Sequence, residues 1–415
     1  MSLYRITGGH RLTGSIKVEG AKNAVLPILA ATVLNEGESV IENVPALNDV
    51  VTMLEILKSL GCRVKYQDKT VVVDSSNITS NEIPTVLVKQ MRSSIVLLGP
   101  LLGRTGKVIT SYPGGCAIGV RPIDLHLKGL RKLGAKVDMH GQIICKGENL
   151  RGTEIQLDYP SVGATENIML AAVLAKGETI IRNAAKEPEI ADLQGFLNSM
   201  GAKVYGAGNH VIRIEGVKKL HSCSHTVMTD RIAAGTYMIA AAITGGEVNL
   251  ENIVVEHLHS IIDKLRESGC IIRTNCNNLR LIAPERLRAV DLIRTLPYPG
   301  FPTDAQPQMM AAMCTAQGTS IFVETIFENR YRHIDELIKL GADIKVDGRI
   351  AVIRGVPRLS GALVTAKDLR GGAALVLAGL AAEGVTEVEG VEHIDRGYEN
   401  LGRKLKNMGA DIIMV

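Results

Sequence analysis

Leu57-Lys58-Ser59-Leu60-Gly61-Cys62 is the stretch that decides the fold, because the chain repeats it. The pattern Leu-x-x-(Leu/Met/Ser)-Gly-(Ala/Cys) returns at 130–135, 197–202, 265–270, 337–342 and 405–410. Its glycines are Gly61, Gly134, Gly201, Gly269, Gly341 and Gly409, spaced 73, 67, 68, 72 and 68 residues apart. A period of about 70 residues held over six copies marks an array of one supersecondary unit.

Each copy has the same surroundings. A polar, amphipathic helix runs up to the glycine, which ends it in a left-handed conformation that costs glycine little. A β-branched run follows, as in Ala135-Lys136-Val137 and Ala342-Asp343-Ile344-Lys345-Val346, and predicts a strand. Upstream lies a second helix, apolar on nearly every side, at 23–35, 93–104, 164–176, 231–244, 306–317 and 371–383. Such a helix has to be buried. It leads to a glycine and another β run, as in Gly37-Glu38-Ser39-Val40-Ile41. One repeat therefore reads as buried helix, strand, exposed helix, strand. Three repeats can close around three central helices with sheets outside. The expected fold is α/β, with two similar globules of three repeats and a boundary near 218–229.

Composition narrows the function. Of 415 residues, 46% are hydrophobic, with no Trp and four Phe, so a large aliphatic core is available. The net charge of +4 is spread among interspersed acids and bases, which argues against a nucleic-acid partner. The first ten residues do not read as a signal peptide, and the uncharged stretches are too short to insert in a membrane. Seven cysteines without a Cys-x-x-Cys pair do not form a disulfide framework and point to a reducing, cytoplasmic setting.

Polar residues gather where the buried helices begin: Lys22-Asn23, Arg92-Ser93, Ser161-Val162-Gly163, Asp230-Arg231, Thr303-Asp304 and Asp368-Leu369-Arg370. Helix N-termini carry unsatisfied N–H groups and partial positive charge, so they attract phosphates and carboxylates. The aspartates read equally well as simple N-caps. A second cluster is the loop Tyr112-Pro113-Gly114-Gly115-Cys116-Ala117-Ile118-Gly119-Val120-Arg121-Pro122. A thiol at Cys116, near Arg121, is expected to ionise readily. An incidental loop cysteine and a plain phosphate cradle remain alternatives. The other six cysteines read as inert packing residues. His221, Cys223, His225, His257 and His259 lack the matched spacing of a zinc site. Neither a Walker loop nor a dinucleotide-binding turn is present.

The loop 113–126 resembles the signature of the UDP-N-acetylglucosamine 1-carboxyvinyltransferases, enolpyruvyl transferases that open peptidoglycan synthesis. The likeness runs the length of the chain, through Gly20-Ala21-Lys22-Asn23-Ala24, Ser161-Val162-Gly163-Ala164-Thr165-Glu166, Glu187-Pro188-Glu189-Ile190, Phe301-Pro302-Thr303-Asp304, Phe327-Glu328-Asn329-Arg330 and Asp395-Arg396-Gly397-Tyr398. The resemblance implies two inside-out α/β barrels, one at 22–229 and one at 1–21 plus 230–415, with the active site in the cleft between them. It also implies transfer of the enolpyruvyl group of phosphoenolpyruvate to the 3-hydroxyl of UDP-N-acetylglucosamine, without metal or organic cofactor. On this likeness Cys116 is the acid and Asp304 the base. Lys22, Arg121 and Arg396 surround the phosphate and carboxylate of phosphoenolpyruvate, with Asn23, Arg92, Asp368 and Arg370 beside them. Arg121, Pro122, Ile123, Asp124 and Leu125 meet the uridine, Ser161, Val162 and Gly163 the diphosphate, and Ile326 and Arg330 the sugar. Tyr159 stands where some relatives carry Lys. The shikimate-pathway enolpyruvyl transferases are similar in fold but lack this cysteine loop.

Overall fold

The structure is a computed structural model and describes residues 2–114, 118–119 and 122–415. Cys116 and Arg121 lie outside the described residues. The chain divides into two compact globules. One comprises Met1–Glu19, Cys116–Val120 and Thr229–Val415, the other Gly20–Gly115 and Arg121–Met228.

The six apolar helices are Lys22–Ala31, Leu98–Thr105, Val162–Ala172, Arg231–Ile243, Gln306–Met313 and Leu369–Ala381. A 3-10 turn, Arg92–Leu97, leads into the second. Apart from a few residues at their ends these helices are buried on every side, whereas the strands around them bury one face and expose the other. Helices inside and sheets outside is the expected α/β arrangement. The sheets of a globule stay separate rather than closing into one hydrogen-bonded barrel, among the described residues.

Close approach between the buried helices depends on small residues. Gly99 packs so tightly that an added Cβ would lie 2.3 Å from the Asn167 carbonyl oxygen. Gly103 faces Ala171 and Leu34. Contacts that advance in step (99 with 167, 103 with 171) mean parallel helices, so the N-termini of one globule share an end. The other globule obeys the same rule, since Thr236 meets Gln308 and Asp304 meets Arg370.

The exposed helices are Asn48–Ser59, Asp124–Lys132, Pro188–Ser199, His259–Glu267, Ile334–Lys339 and Leu401–Asn407. All six signature glycines that follow them are left-handed, with φ between 91° and 106°. Each repeat carries more strand than its sequence suggests. In one sheet Glu154–Gln156 runs parallel to Glu178–Arg182, which pairs antiparallel with Val211–Glu215, itself paired with Lys203–Tyr205. Five sheets share this order, and in the sixth a bridge from Glu82 to Ile109 replaces the parallel strand. The full repeat is therefore short strand, buried helix, strand, exposed helix and hairpin. The 218–229 segment, read as the boundary, contains the strand Cys223–Thr226, parallel to Glu38–Glu42. At the N-terminus, Leu3–Thr7 lies between Val385–Glu389 and Asp411–Met414, and Thr13–Lys17 pairs with Glu247–Glu251. No helix among the described residues is long and apolar enough to cross a membrane.

Candidate active site

In the globule containing Thr229–Val415, the three aspartates at helix starts divide by role. Asp230 caps its helix by accepting from the Ile232 and Ala233 N–H groups at 2.8 and 2.9 Å. Asp368 does the same for Arg370 and Gly371 at 3.1 and 3.0 Å. The capping reading holds for these two. Asp304 is not the N-cap of its helix, because Ala305 holds that position and no side chain bonds there. Its carboxylate instead bridges two guanidinium groups. Arg330 Nη2 donates to Oδ1 at 2.9 Å, and Arg370 Nη2 donates to Oδ2 at 3.2 Å. Asp304 keeps about a quarter of its side-chain surface exposed, while both arginines are almost fully buried.

The two arginines are themselves tied down. Arg330 also donates through Nε and Nη2 to the Thr303 carbonyl at 3.2 and 2.9 Å. Burial works against the charge on Arg370, but Tyr398, Asp304 and Asp230 outweigh it and hold the guanidinium above its ordinary range. Glu324, 1% exposed, accepts from Thr295 Oγ1 and from the N–H groups of Ile326 and Phe327 on one oxygen, and from Thr303 Oγ1 on the other. One buried carboxylate thus fixes both the Asp304 segment and half-buried Ile326. His333 lies near Asp368 and Arg330. Burial pushes its imidazole down to about 4, so the ring is neutral at neutral pH. Arg396 is partly exposed, just beyond the helix Val391–Ile394.

The other globule gathers cations at its helix starts. Lys22 is the first residue of its helix, which no side chain caps, and its Nζ lies 3.6 Å from Asp49 Oδ2. Asn23 and Arg92 are partly exposed, and the 3-10 turn opening at Arg92 is likewise without a side-chain cap. Ser161 caps the Val162 helix through the Ala164 N–H at 3.4 Å. Ser161, Val162 and Gly163 are all partly exposed. Tyr159 is exposed, as are Pro122 and Asp124. Ile123 is buried and Leu125 half-buried. Asp124 and Leu125 begin a helix rather than extending the loop.

A proton position can be deduced in this globule. Asn167 Oδ1 accepts from the Gly99 N–H at 2.7 Å, so its Nδ2 is the atom facing the Ile95 carbonyl and His126 Nδ1. His126 Nδ1 is therefore an acceptor, and its proton sits on Nε2. That side of the ring faces Gly163, where an added Cβ would come within 3.2 Å of Nε2.

Two described residues of the cysteine loop are anchored. The Ile118 carbonyl accepts from the Asn329 N–H at 2.9 Å, and Gly119 packs against Glu328. The segment they touch carries Arg330. Among the other cysteines, Cys62, Cys145, Cys270 and Cys314 are buried, and Cys223 half-buried. Cys276 corrects the expectation of six inert thiols, because it is exposed in a hairpin turn at φ 48°. His225 Nε2 is paired with Asp192 at 2.9 Å.

Sequence reasoning missed Glu324, Thr236, Gln308 and Tyr398. The available signal was a Gln or Thr inside an otherwise apolar buried helix, since a buried polar group needs a partner.

A family profile described as EPSP synthase (3-phosphoshikimate 1-carboxyvinyltransferase) matches residues 6–405. The chain is 58% identical over 416 residues to UDP-N-acetylglucosamine 1-carboxyvinyltransferase 2 of Caldanaerobacter subterraneus subsp. tengcongensis, covering 100% of both. It is 56% identical over 419 residues to UDP-N-acetylglucosamine 1-carboxyvinyltransferase 1 of Symbiobacterium thermophilum, covering 99% of this chain and 95% of that one. The solved enolpyruvyl transferase NikO from Streptomyces tendae matches with a TM-score of 0.90 at 25% identity, over 100% of this chain and 99% of that one. With its six-repeat fold and these full-length relatives, the chain belongs to the enolpyruvyl transferase family, in the branch of the UDP-N-acetylglucosamine 1-carboxyvinyltransferases.

Proposed function

We propose that this chain transfers the enolpyruvyl group of phosphoenolpyruvate to the 3-hydroxyl of UDP-N-acetylglucosamine and releases phosphate, the first committed step of peptidoglycan synthesis. The observation that carries the reading is the Asp304 carboxylate, which is not at the N-cap of its helix and is oriented by one guanidinium on each oxygen. A carboxylate aimed in this way is suited to orienting an alcohol and taking its proton as the new C–O bond forms.

In the proposed addition, the Cys116 thiol gives its proton to the methylene carbon of phosphoenolpyruvate. The sugar oxygen bonds to the adjacent carbon, and its proton passes to Asp304. In the elimination, the methyl carbon returns a proton to the Cys116 thiolate, the carbon–phosphate oxygen bond breaks, and the vinyl ether and free phosphate result, the departing phosphate taking the proton held by Asp304. Lys22, Arg121 and Arg396, with Asn23, Arg92 and Arg370, balance the substrate's charges, and arginine can grip phosphate and carboxylate with two hydrogen bonds. Ser161, Val162 and Gly163 offer a partly exposed helix N-terminus to the diphosphate, which compensates for Tyr159 in place of a cation. The reading needs no metal or organic cofactor.

The relatives favour the nucleotide sugar over a shikimate phosphate as acceptor. Phosphate release, followed colorimetrically, should require phosphoenolpyruvate and UDP-N-acetylglucosamine together. Silence with both present would sink the assignment, and release with shikimate 3-phosphate instead would change the acceptor.

A further inference from the structure

Tyr398 has no part in the reaction above, yet it is 1% exposed and sits in a buried polar cluster with Thr236 and Gln308. Thr236 Oγ1 donates to the Ile232 carbonyl at 2.9 Å, so toward Tyr398 it accepts. The Tyr398 hydroxyl, 2.8 Å away, therefore donates to Thr236. Gln308 Nε2 lies 3.0 Å from the Asp304 carbonyl, which can only accept, so the amide nitrogen is the group on that side. The same Nε2 lies 2.8 Å from the Tyr398 oxygen and 3.0 Å from Thr236 Oγ1, so its two hydrogens are shared among three acceptors. Through Gln308, the phenol thus reaches the main chain of Asp304.

A second route runs through the ring. The Arg370 guanidinium carbon lies 5.0 Å from the centre of the Tyr398 ring, within cation–π range. Arg370 Nη2 holds Asp304 Oδ2, and the guanidinium also interacts with the Tyr398 hydroxyl. The Tyr398 side chain is therefore one restraint on where that guanidinium points. One buried side chain thus contacts partners of both the backbone and the carboxylate of Asp304.

We propose that Tyr398 is a positioning residue for Asp304, acting on its main chain through Gln308 and on its carboxylate through Arg370. The proposal rests on the reading of Asp304 as the group that takes the sugar proton. Since Asp304 then acts in the chemical step, misplacing it lowers kcat more than substrate binding.

The test is steady-state kinetics of Tyr398→Phe, Gln308→Met and the double variant, each assayed well below its measured unfolding temperature, with Asp304→Asn as reference. Tyr398→Phe keeps the ring and removes the hydroxyl. It should lower kcat about tenfold, with both KM values within about twofold, as expected for a small misplacement of a reacting group. Gln308→Met should do the same, and the double variant should be no worse than the weaker single one. An unchanged kcat in Tyr398→Phe alongside an inactive Asp304→Asn overturns the positioning role. So does a rise in KM alone, or multiplied losses in the double variant. If Tyr398→Phe does not fold, Gln308→Met decides by the same split of kcat against KM. An active Asp304→Asn would instead remove the base reading on which the proposal stands.

Discussion

A thiol reacts as its thiolate, so the cysteines can be ranked by what surrounds them. Burial pushes Cys145 up to about 11 and Cys270 and Cys314 up to about 12. Burial also raises Cys62, with a hydrogen bond to Ser75 working the other way, and raises half-buried Cys223 to about 11. A raised thiol pKa means the reactive form is scarce at neutral pH and grows only as the pH climbs toward that value. An epoxide phosphonate of the fosfomycin type should therefore label Cys116 at pH 7.5, as peptide mass mapping would read. Cys276 is the control that matters, because it is exposed but far in sequence from any residue of the proposed site. A simple alkylator such as iodoacetamide should mark both Cys116 and Cys276, whereas the phosphonate should mark Cys116 alone. Phosphonate on Cys276 would mean that reactivity follows exposure rather than a built anion site. Cys116→Asp should keep an acid, retain turnover and escape the label.

The repeat makes a graded prediction about elements. All six signature glycines are left-handed, but their surroundings differ. Around Gly341 nothing lies within 4 Å of an added Cβ, so Gly341→Ala adds backbone strain alone. A left-handed non-glycine residue costs about 1–2 kcal/mol. At Gly61 the new Cβ would also lie 2.7 Å from the Asn77 carbonyl oxygen and 2.8 Å from the Thr79 nitrogen. Gly61→Ala should thus cost clearly more than Gly341→Ala in urea unfolding; equal losses would mean that the Asn77–Thr79 loop yields freely. These glycines and the apolar helices were legible in the sequence because both are local signals. The strands that follow the signature glycines, such as Arg63–Gln67, were legible by their place in the repeat. The short parallel strands were not, because a piece of three residues such as Leu292–Arg294 gives no readable period. The site divided along the same line. Asp304 could be singled out by its place at a helix start, but that Asp230 and Asp368 cap while Asp304 does not depends on hydrogen-bond geometry. Tyr398 and Gln308 meet only through contacts 90 residues apart in sequence.

For the whole molecule, the sheet pairing says which pieces of chain can stand alone. Every strand of the three sheets in the Gly20–Met228 region comes from between residues 38 and 226. The other globule draws on both ends of the chain. Leu3–Thr7 is an inner strand there, bonded on one side to Val385–Glu389 and on the other to Asp411–Met414. A fragment 229–415 would lack it and also Thr13–Lys17, leaving Val385–Glu389, Asp411–Met414 and Glu247–Glu251 each short of a partner and uncovering Tyr4 and Ile6 contacts in the core. Unpaired backbone groups and an opened core both oppose folding. Leu3 and Val415 exchange hydrogen bonds at 3.0 and 2.9 Å, so the two ends of the sheet are adjacent and a short Gly/Ser linker can join them. Three fragments then separate the possibilities. Residues 20–228 should unfold cooperatively in urea as an independent unit. Residues 229–415 should show poor amide-exchange protection in 385–389 and 411–414. A permuted chain, 229–415 followed by the linker and 2–19, should recover that protection, because it restores both missing strands, Leu3–Thr7 and Thr13–Lys17, without any residue of the other globule. If 229–415 were as well protected as the permuted chain, the N-terminal strand would be an ornament on a sheet stable without it.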